Sequence, residues 1–183
     1  MNRRAFIGAG LALAAFGRRV WAQLANPAPS VRYAALTRPV RIPADSVALP
    51  WQPVSFVAEV STPRRVLISG VLFRKAGVAA PGSIEALSAL CVTCPHEQCQ
   101  VDLVTDEARL ARMIPRPGSE QAGGTARHPL FECGCHLSVF DAAADGARIS
   151  GEAPRGLYRF HIAGTRDGFV EIDEIEEVAL SEV

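Results

Sequence analysis

An antiparallel all-β domain is the fold class this sequence predicts, on three observations. Short runs rich in Val, Leu, Ile and Phe recur from residue 54 onward, bounded by turn residues such as Thr62-Pro63, Gly77 and Pro81-Gly82. Period-two alternation appears inside them, as at Phe56, Ala58 and Val60, which would share one face of a strand. The apolar content of 49% is enough to fill a β core.

The chain length of 183 residues allows one domain. Its first segment, 1–22, reads as an export signal. Asn2-Arg3-Arg4-Ala5-Phe6-Ile7 is similar to a twin-arginine motif, and an apolar run from Ala5 to Phe16 follows. Arg18-Arg19 comes next, and Val20-Trp21-Ala22 puts small residues where a signal peptidase cuts. The run is shorter than the ~20 residues a membrane span needs. A retained anchor is the alternative to cleavage. The signal holds four Arg and no acid, so its removal leaves 15 basic and 19 acidic residues, a net charge of −4. No basic patch or stacking platform points to nucleic acid. Internal repeats are absent.

Residues 23–50 read as an extended linker, punctuated by Pro27, Pro29, Pro39, Pro43 and Pro50. The folded domain is expected over 51–183. Its strands are predicted at Val54–Val60, Arg65–Phe73, Ala86–Val92, Leu130–Glu132, Leu157–Ile162 and Phe169–Ile172. Ile84–Leu90 also reads as a helical turn. Between the two halves lies a stretch at about 105–127, rich in Arg, Pro, Gly and Ser, which reads as a surface loop with one helical turn near Asp106–Met113. It is either a tolerated insertion or a docking element for a partner.

Two boxes carry the chemistry. The first is Cys94-Pro95-His96-Glu97-Gln98-Cys99; the second, separated from His96 by 36 residues, is Cys133-Gly134-Cys135-His136-Leu137-Ser138. Each offers one thiolate and one imidazole, plus a further cysteine. Two Cys on one iron and two His on the other is the ligand set of a Rieske [2Fe–2S] centre. Cys94 and Cys133 would hold one iron, and His96 and His136 the other. Neutral imidazoles in place of two thiolates remove negative charge, so an added electron is held more easily than by an all-cysteine cluster.

Over about residues 91–160 the chain resembles the Rieske proteins of cytochrome bc complexes and the small subunit of arsenite oxidase. The boxes carry the resemblance, together with Gly151-Glu152-Ala153-Pro154-Arg155-Gly156-Leu157, similar to the family's Gly/Pro-rich loop. The resemblance implies base sheets with an inserted cluster-binding subdomain at about 91–147. It implies a Cys99–Cys135 disulfide, with Gly151 and Pro154 covering the third side of the cluster. Ser138 matches a serine that donates to a bridging sulfide. Phe140 stands where many members have a tyrosine, and Glu97-Gln98 replace the usual Leu-Gly. That leucine shields the cluster and aids quinone docking, so a carboxylate there departs from that mode.

The implied role is one-electron transfer outside the cytoplasmic membrane, as a subunit of an oxidoreductase rather than a stand-alone enzyme. The first partner reading is a quinol:cytochrome c reductase, with a cytochrome b/c-type redox partner. The second is a molybdopterin subunit of the arsenite oxidase type; a free periplasmic carrier is third. Either complex would pass electrons to a c-type cytochrome or similar acceptor. Membrane association would come through an uncleaved N-terminus or the partner. Folded export by the twin-arginine route suits a cofactor loaded inside the cell, and an oxidising destination suits the disulfide.

Other readings compete. Cys91-Val92-Thr93-Cys94 with the later cysteines also reads as a structural zinc site. A plain disulfide framework accounts for the cysteines but not for His96 and His136. A Rieske oxygenase would need a 2-His-1-carboxylate site, for which His128 and His161 supply no motif. Cys91 reads as a buried strand thiol, His128 as a solvent-exposed loop residue, His161 as structural and Trp51 as packing. The acidic run Glu171, Asp173, Glu174, Glu176 and Glu177 reads as a solvated terminal segment.

Overall fold

The computed structural model describes residues 31–61, 64–77, 83–113 and 128–182. The expected signal at 1–22 and most of the 105–127 stretch lie outside them. In chain order the strands are β1 (Tyr33–Pro43), β2 (Val54–Ser61), β3 (Arg65–Arg74), β4 (Leu87–Cys91), β5 (Val101–Val104), β6 (Leu130–Cys133), β7 (Ser138–Asp141), β8 (Ala147–Ser150), β9 (Phe160–Arg166) and β10 (Phe169–Glu176). Two short helices are α1 (Glu107–Met113) and α2 (Ala179–Glu182). The strands form three antiparallel sheets, ordered β1-β10-β9, β2-β3-β4 and β5-β6-β7-β8. The expected all-β class is the class observed.

The first two sheets enclose the base core. The alternation in β2 turns Phe56, Ala58 and Val60 inward and leaves Val57 exposed. They pack with Leu36, Ile42, Ile68, Leu72, Ile172 and Ile175. Each such side chain contributes about 1.5–3 kcal/mol by leaving water.

β3 changes character halfway. From Gly70 to Phe73 every residue is buried. Leu72 faces the base core, whereas Val71 and Phe73 face a second core with Leu90, Phe131, Phe140 and the thiols of Cys94 and Cys133. β4 is buried throughout. These two strands are therefore a wall shared by the base and the four-stranded sheet. A 3₁₀ turn at Ile84–Ala86 precedes β4, so both readings of that stretch were partly right.

Three expectations need correction. Residues 23–50 are not simply a linker, because β1 is an 11-residue strand within them. Its prolines are tolerated on a sheet edge: Pro39 falls at the register shift between Ala35 and Val40, and Pro43 ends the strand. His128 is not a free loop residue. Its Nε2 lies 2.7 Å from Asp141 Oδ1, and its ring stacks on Trp51 with centroids 5.9 Å apart. The acidic run is a paired strand rather than a solvated tail. Glu171 meets Arg41 at 3.2 Å and Glu177 meets Arg32 at 2.9 Å. The exposed His161 holds Asp173 through Nδ1 at 2.7 Å.

Glu176 is the extreme case. Its side chain is 1% exposed and is gripped by Arg155 and, at 2.7 Å, by Arg159. The bond to Glu176 raises the Arg159 pKa further. Removing the carboxylate strands two cations, so Glu176→Ala is expected to destabilise the fold by about 3 kcal/mol. Urea unfolding checks this; a loss below about 1 kcal/mol would contradict it.

Candidate metal centre

Both boxes are loops at one end of the shared wall. The first joins β4 to β5 and is closed by Cys94 N–H donating to Cys99 O at 2.8 Å and Gln98 N–H donating to Cys94 O at 3.1 Å. The second joins β6 to β7, where Cys133 and Ser138 are the closing cross-strand pair. Both turns need a left-handed residue, supplied by Gln98 (φ 59°) and Leu137 (φ 54°). An L-residue there costs roughly 1–2 kcal/mol. Leu137 is 67% exposed, so little burial offsets that cost.

The fold sorts the side chains by depth. Cys94 and Cys133 are each 1% exposed, with their thiols in hydrogen-bonding reach of one another. Burial pushes the Cys94 thiol pKa up, while the peptide N–H groups of His96 and Glu97 pull it down. Further out, the rings of His96 and His136 meet edge to face, with centroids 4.7 Å apart. Their Nδ1 atoms are buried and have no hydrogen-bond partner. Their Nε2 atoms face the carboxylates of Glu152, at 3.9 Å, and Glu97, at 3.8 Å.

Cys99 and Cys135 form a disulfide that ties the two boxes together, with Cα atoms 6.6 Å apart. The third side is closed by the loop between β8 and β9. Gly151 (φ 90°) lies so close to Ser138 that a Cβ would fall 2.3 Å from the Ser138 Cα. Ala153 N–H donates to the buried Ser138 Oγ at 3.0 Å, and Arg148 donates to Gly151 O at 2.9 Å. Pro154 is exposed, and Ala153, 1% exposed, is the residue that packs inward beside the thiols. Phe140 is fully buried in that same cluster.

The structure thus brings together Cys94, His96, Cys99, Cys133, Cys135, His136, Ser138, Phe140 and Gly151. Sequence reasoning missed Ala153 as the inward residue of its loop. It also missed Glu152 as a neighbour of an imidazole, and the exposure of Leu137. Glu152 had a local signal, since it follows Gly151 in a loop already singled out; the other two needed the fold.

Buried polar atoms ordinarily have partners, so two adjacent orphaned imidazole nitrogens need an explanation. A metal centre supplies one, because neutral imidazole nitrogen is a metal ligand. Among the described residues, His96, His136 and Glu152 converge to within 4.8 Å, as do Cys99, Cys133 and Cys135. Neither group mixes sulfur with imidazole.

No protein-family model matches this chain, and no curated protein is significantly similar to it.

Gly151→Ala is expected to force the third loop off Ser138. Thermal unfolding should show a lower Tm, and proteolysis should show earlier cleavage within 148–156; a variant as stable as the parent would contradict this. The disulfide closes a loop across 36 residues, so replacing both Cys99 and Cys135 by Ser should cost up to about 4 kcal/mol. Urea unfolding with and without reductant reads that difference.

Proposed function

We propose that this chain is a Rieske-type [2Fe–2S] one-electron transfer protein. The observation that carries the reading is the pair of buried, partnerless Nδ1 atoms on touching rings, beside a separate pair of buried thiols. His96 and His136 would hold one iron through Nδ1, and Cys94 and Cys133 the other through sulfur. Bound there, the cluster would take up and release single electrons.

The chain's own residues supply the rest. Phe140, Phe131 and Ala153 keep water from the thiol side. Ser138 Oγ accepts from Ala153, which leaves its own proton for an acceptor inside the site. Peptide N–H groups of the first box stabilise the Cys94 sulfur. The outward Nε2 edges are the shortest exit for an electron. A single tetrahedral zinc would draw two sulfurs and two imidazoles into one group. Here Cys99 and Cys135 are tied up in the disulfide, and the buried Cys94 and Cys133 thiols lie deeper than the part-exposed imidazoles, which supports two metal positions.

The tip bears on the choice of partner. In the quinol:cytochrome c reductase reading, a quinol hydroxyl must approach an imidazole Nε2. Here carboxylates of Glu97 and Glu152 already face both. That favours the second reading, an electron-transfer subunit beside a molybdopterin subunit. The disulfide supports an oxidising, periplasmic location, in keeping with the twin-arginine-like N-terminus. No helix among the described residues is long and apolar enough to cross a membrane.

Electron paramagnetic resonance of the dithionite-reduced protein tests the reading. A rhombic signal with average g of about 1.9 is expected from mixed ligation. Silence with stoichiometric zinc would overturn it. Phe140→Tyr adds a hydroxyl beside the cysteine ligands, so the midpoint potential should rise. An unchanged or lower potential in a redox titration would count against Phe140 as a tuning residue.

A further inference from the structure

Strand β10 breaks its own alternation. Val170, Ile172 and Ile175 turn into the base core, so the inward phase slips by one residue after Ile172. The register shifts at the same point against both neighbouring strands. Ile172 and Glu174 have partners on β1 and on β9, and Asp173 has none on either. A bulge of this kind re-aims side chains, here bringing two consecutive ones to the wet face. Asp173 and Glu174 therefore stand together, opposite His161, the cross-strand partner of Glu174 on β9. His161 Nδ1 lies 2.7 Å from Asp173 Oδ1 and 4.0 Å from Glu174 Oε2, and the three residues' donor atoms fall within 4.8 Å of one another. The Tyr33 ring meets His161 edge to face, with centroids 6.0 Å apart.

The other acids of this run have arginines. Glu171 meets Arg41, Glu176 meets Arg155 and Arg159, and Glu177 meets Arg32. Asp173 and Glu174 have none among the described residues, and the imidazole is their shared partner. Two adjacent carboxylates beside a neutral imidazole leave two negative charges, which one divalent cation would neutralise. A nitrogen with two carboxylate oxygens suits a first-row transition ion better than calcium or magnesium, which take oxygen shells. We propose that His161, Asp173 and Glu174 form a metal site, separate from the two boxes, for a divalent ion of the zinc class. The ion clips β9 to β10 across the bulge. Three protein donors leave a position open to water or a small donor molecule. Room for one lies beside His161, which also lines a cavity of about 260 Å³ between β4 and β9. The wall of that cavity includes the buried Ser88, whose Oγ has no hydrogen-bond partner. The site does not rest on the electron-transfer reading.

The test is calorimetric titration of the full-length protein with zinc, after a chelator has removed loosely held metal. His161→Gln and the double variant Asp173→Asn, Glu174→Gln are titrated beside the parent. Each variant should lose at least the about 10-fold in affinity that even a lost second-shell contact costs a metal site. Zinc should raise the Tm of the parent and leave that of both variants level, because it binds the native chain at this site. In chelator all three proteins should unfold alike, since an exposed ion pair contributes little to stability. Calcium and magnesium should bind the parent at least about 10-fold more weakly than zinc. A parent that takes up no zinc would overturn the proposal, as would an affinity that either variant leaves intact, or calcium bound as tightly as zinc. Zinc taken up at the two boxes would survive both variants. It would therefore count against the cluster reading alone, and the uptake that the variants remove would still establish this site.

Discussion

Because β3 from Gly70 to Phe73 and the whole of β4 are buried on both faces, the base and the four-stranded sheet cannot move apart without exposing two cores at once. Leu72 belongs to one core; Val71 and Phe73, its chain neighbours, belong to the other. The second core contains Cys94 and Cys133 themselves. The thiols are thus held by apolar packing that continues into the strands beneath them. On the proposed reading that rigidity would favour electron transfer, since a site that rearranges little loses little energy between its two charge states. The disulfide and the Ser138–Ala153 contact then act on loops whose roots are already fixed.

The shared wall also explains which parts of the fold were legible in the sequence. Strand β2 announces itself because one face is buried and the other wet, giving Phe56, Ala58 and Val60 their alternation. β4 has no wet face, so its residues show no period and admit a helical reading. β5, β7 and β8 are four residues each, too short for periodicity to register. β1 was hidden by its prolines, which an edge strand accepts where an inner strand would not. The acidic run looked solvated because its partners, Arg32, Arg41, Arg155 and Arg159, are far away in sequence or on another strand.

The boxes were legible for the opposite reason. The Cys and His of each box and their turn lie within six residues of one another, so the candidate donor set can be read from spacing. What spacing cannot state is direction. That Nδ1 points inward and Nε2 outward, that Ala153 rather than Pro154 packs against the site, and that Glu152 meets an imidazole all depend on how three loops from different strands converge.

On the proposed reading, the residues around the site act together on its charge. Phe140 offers no hydroxyl to a ligand sulfur where a tyrosine would, so one means of stabilising an added electron is missing. Glu97 and Glu152 place negative charge at the imidazole edges, which also disfavours the reduced state. Among the described residues neither carboxylate pairs with an arginine or lysine: Arg155 is committed to the buried Glu176, and Arg148 donates to the Gly151 carbonyl. Both effects push toward the lower end of the range open to His-ligated clusters. A carrier set there would give up its electron readily to an acceptor of higher potential. Removing the charge of Glu97 or Glu152 would then raise the potential and lessen the driving force toward that acceptor.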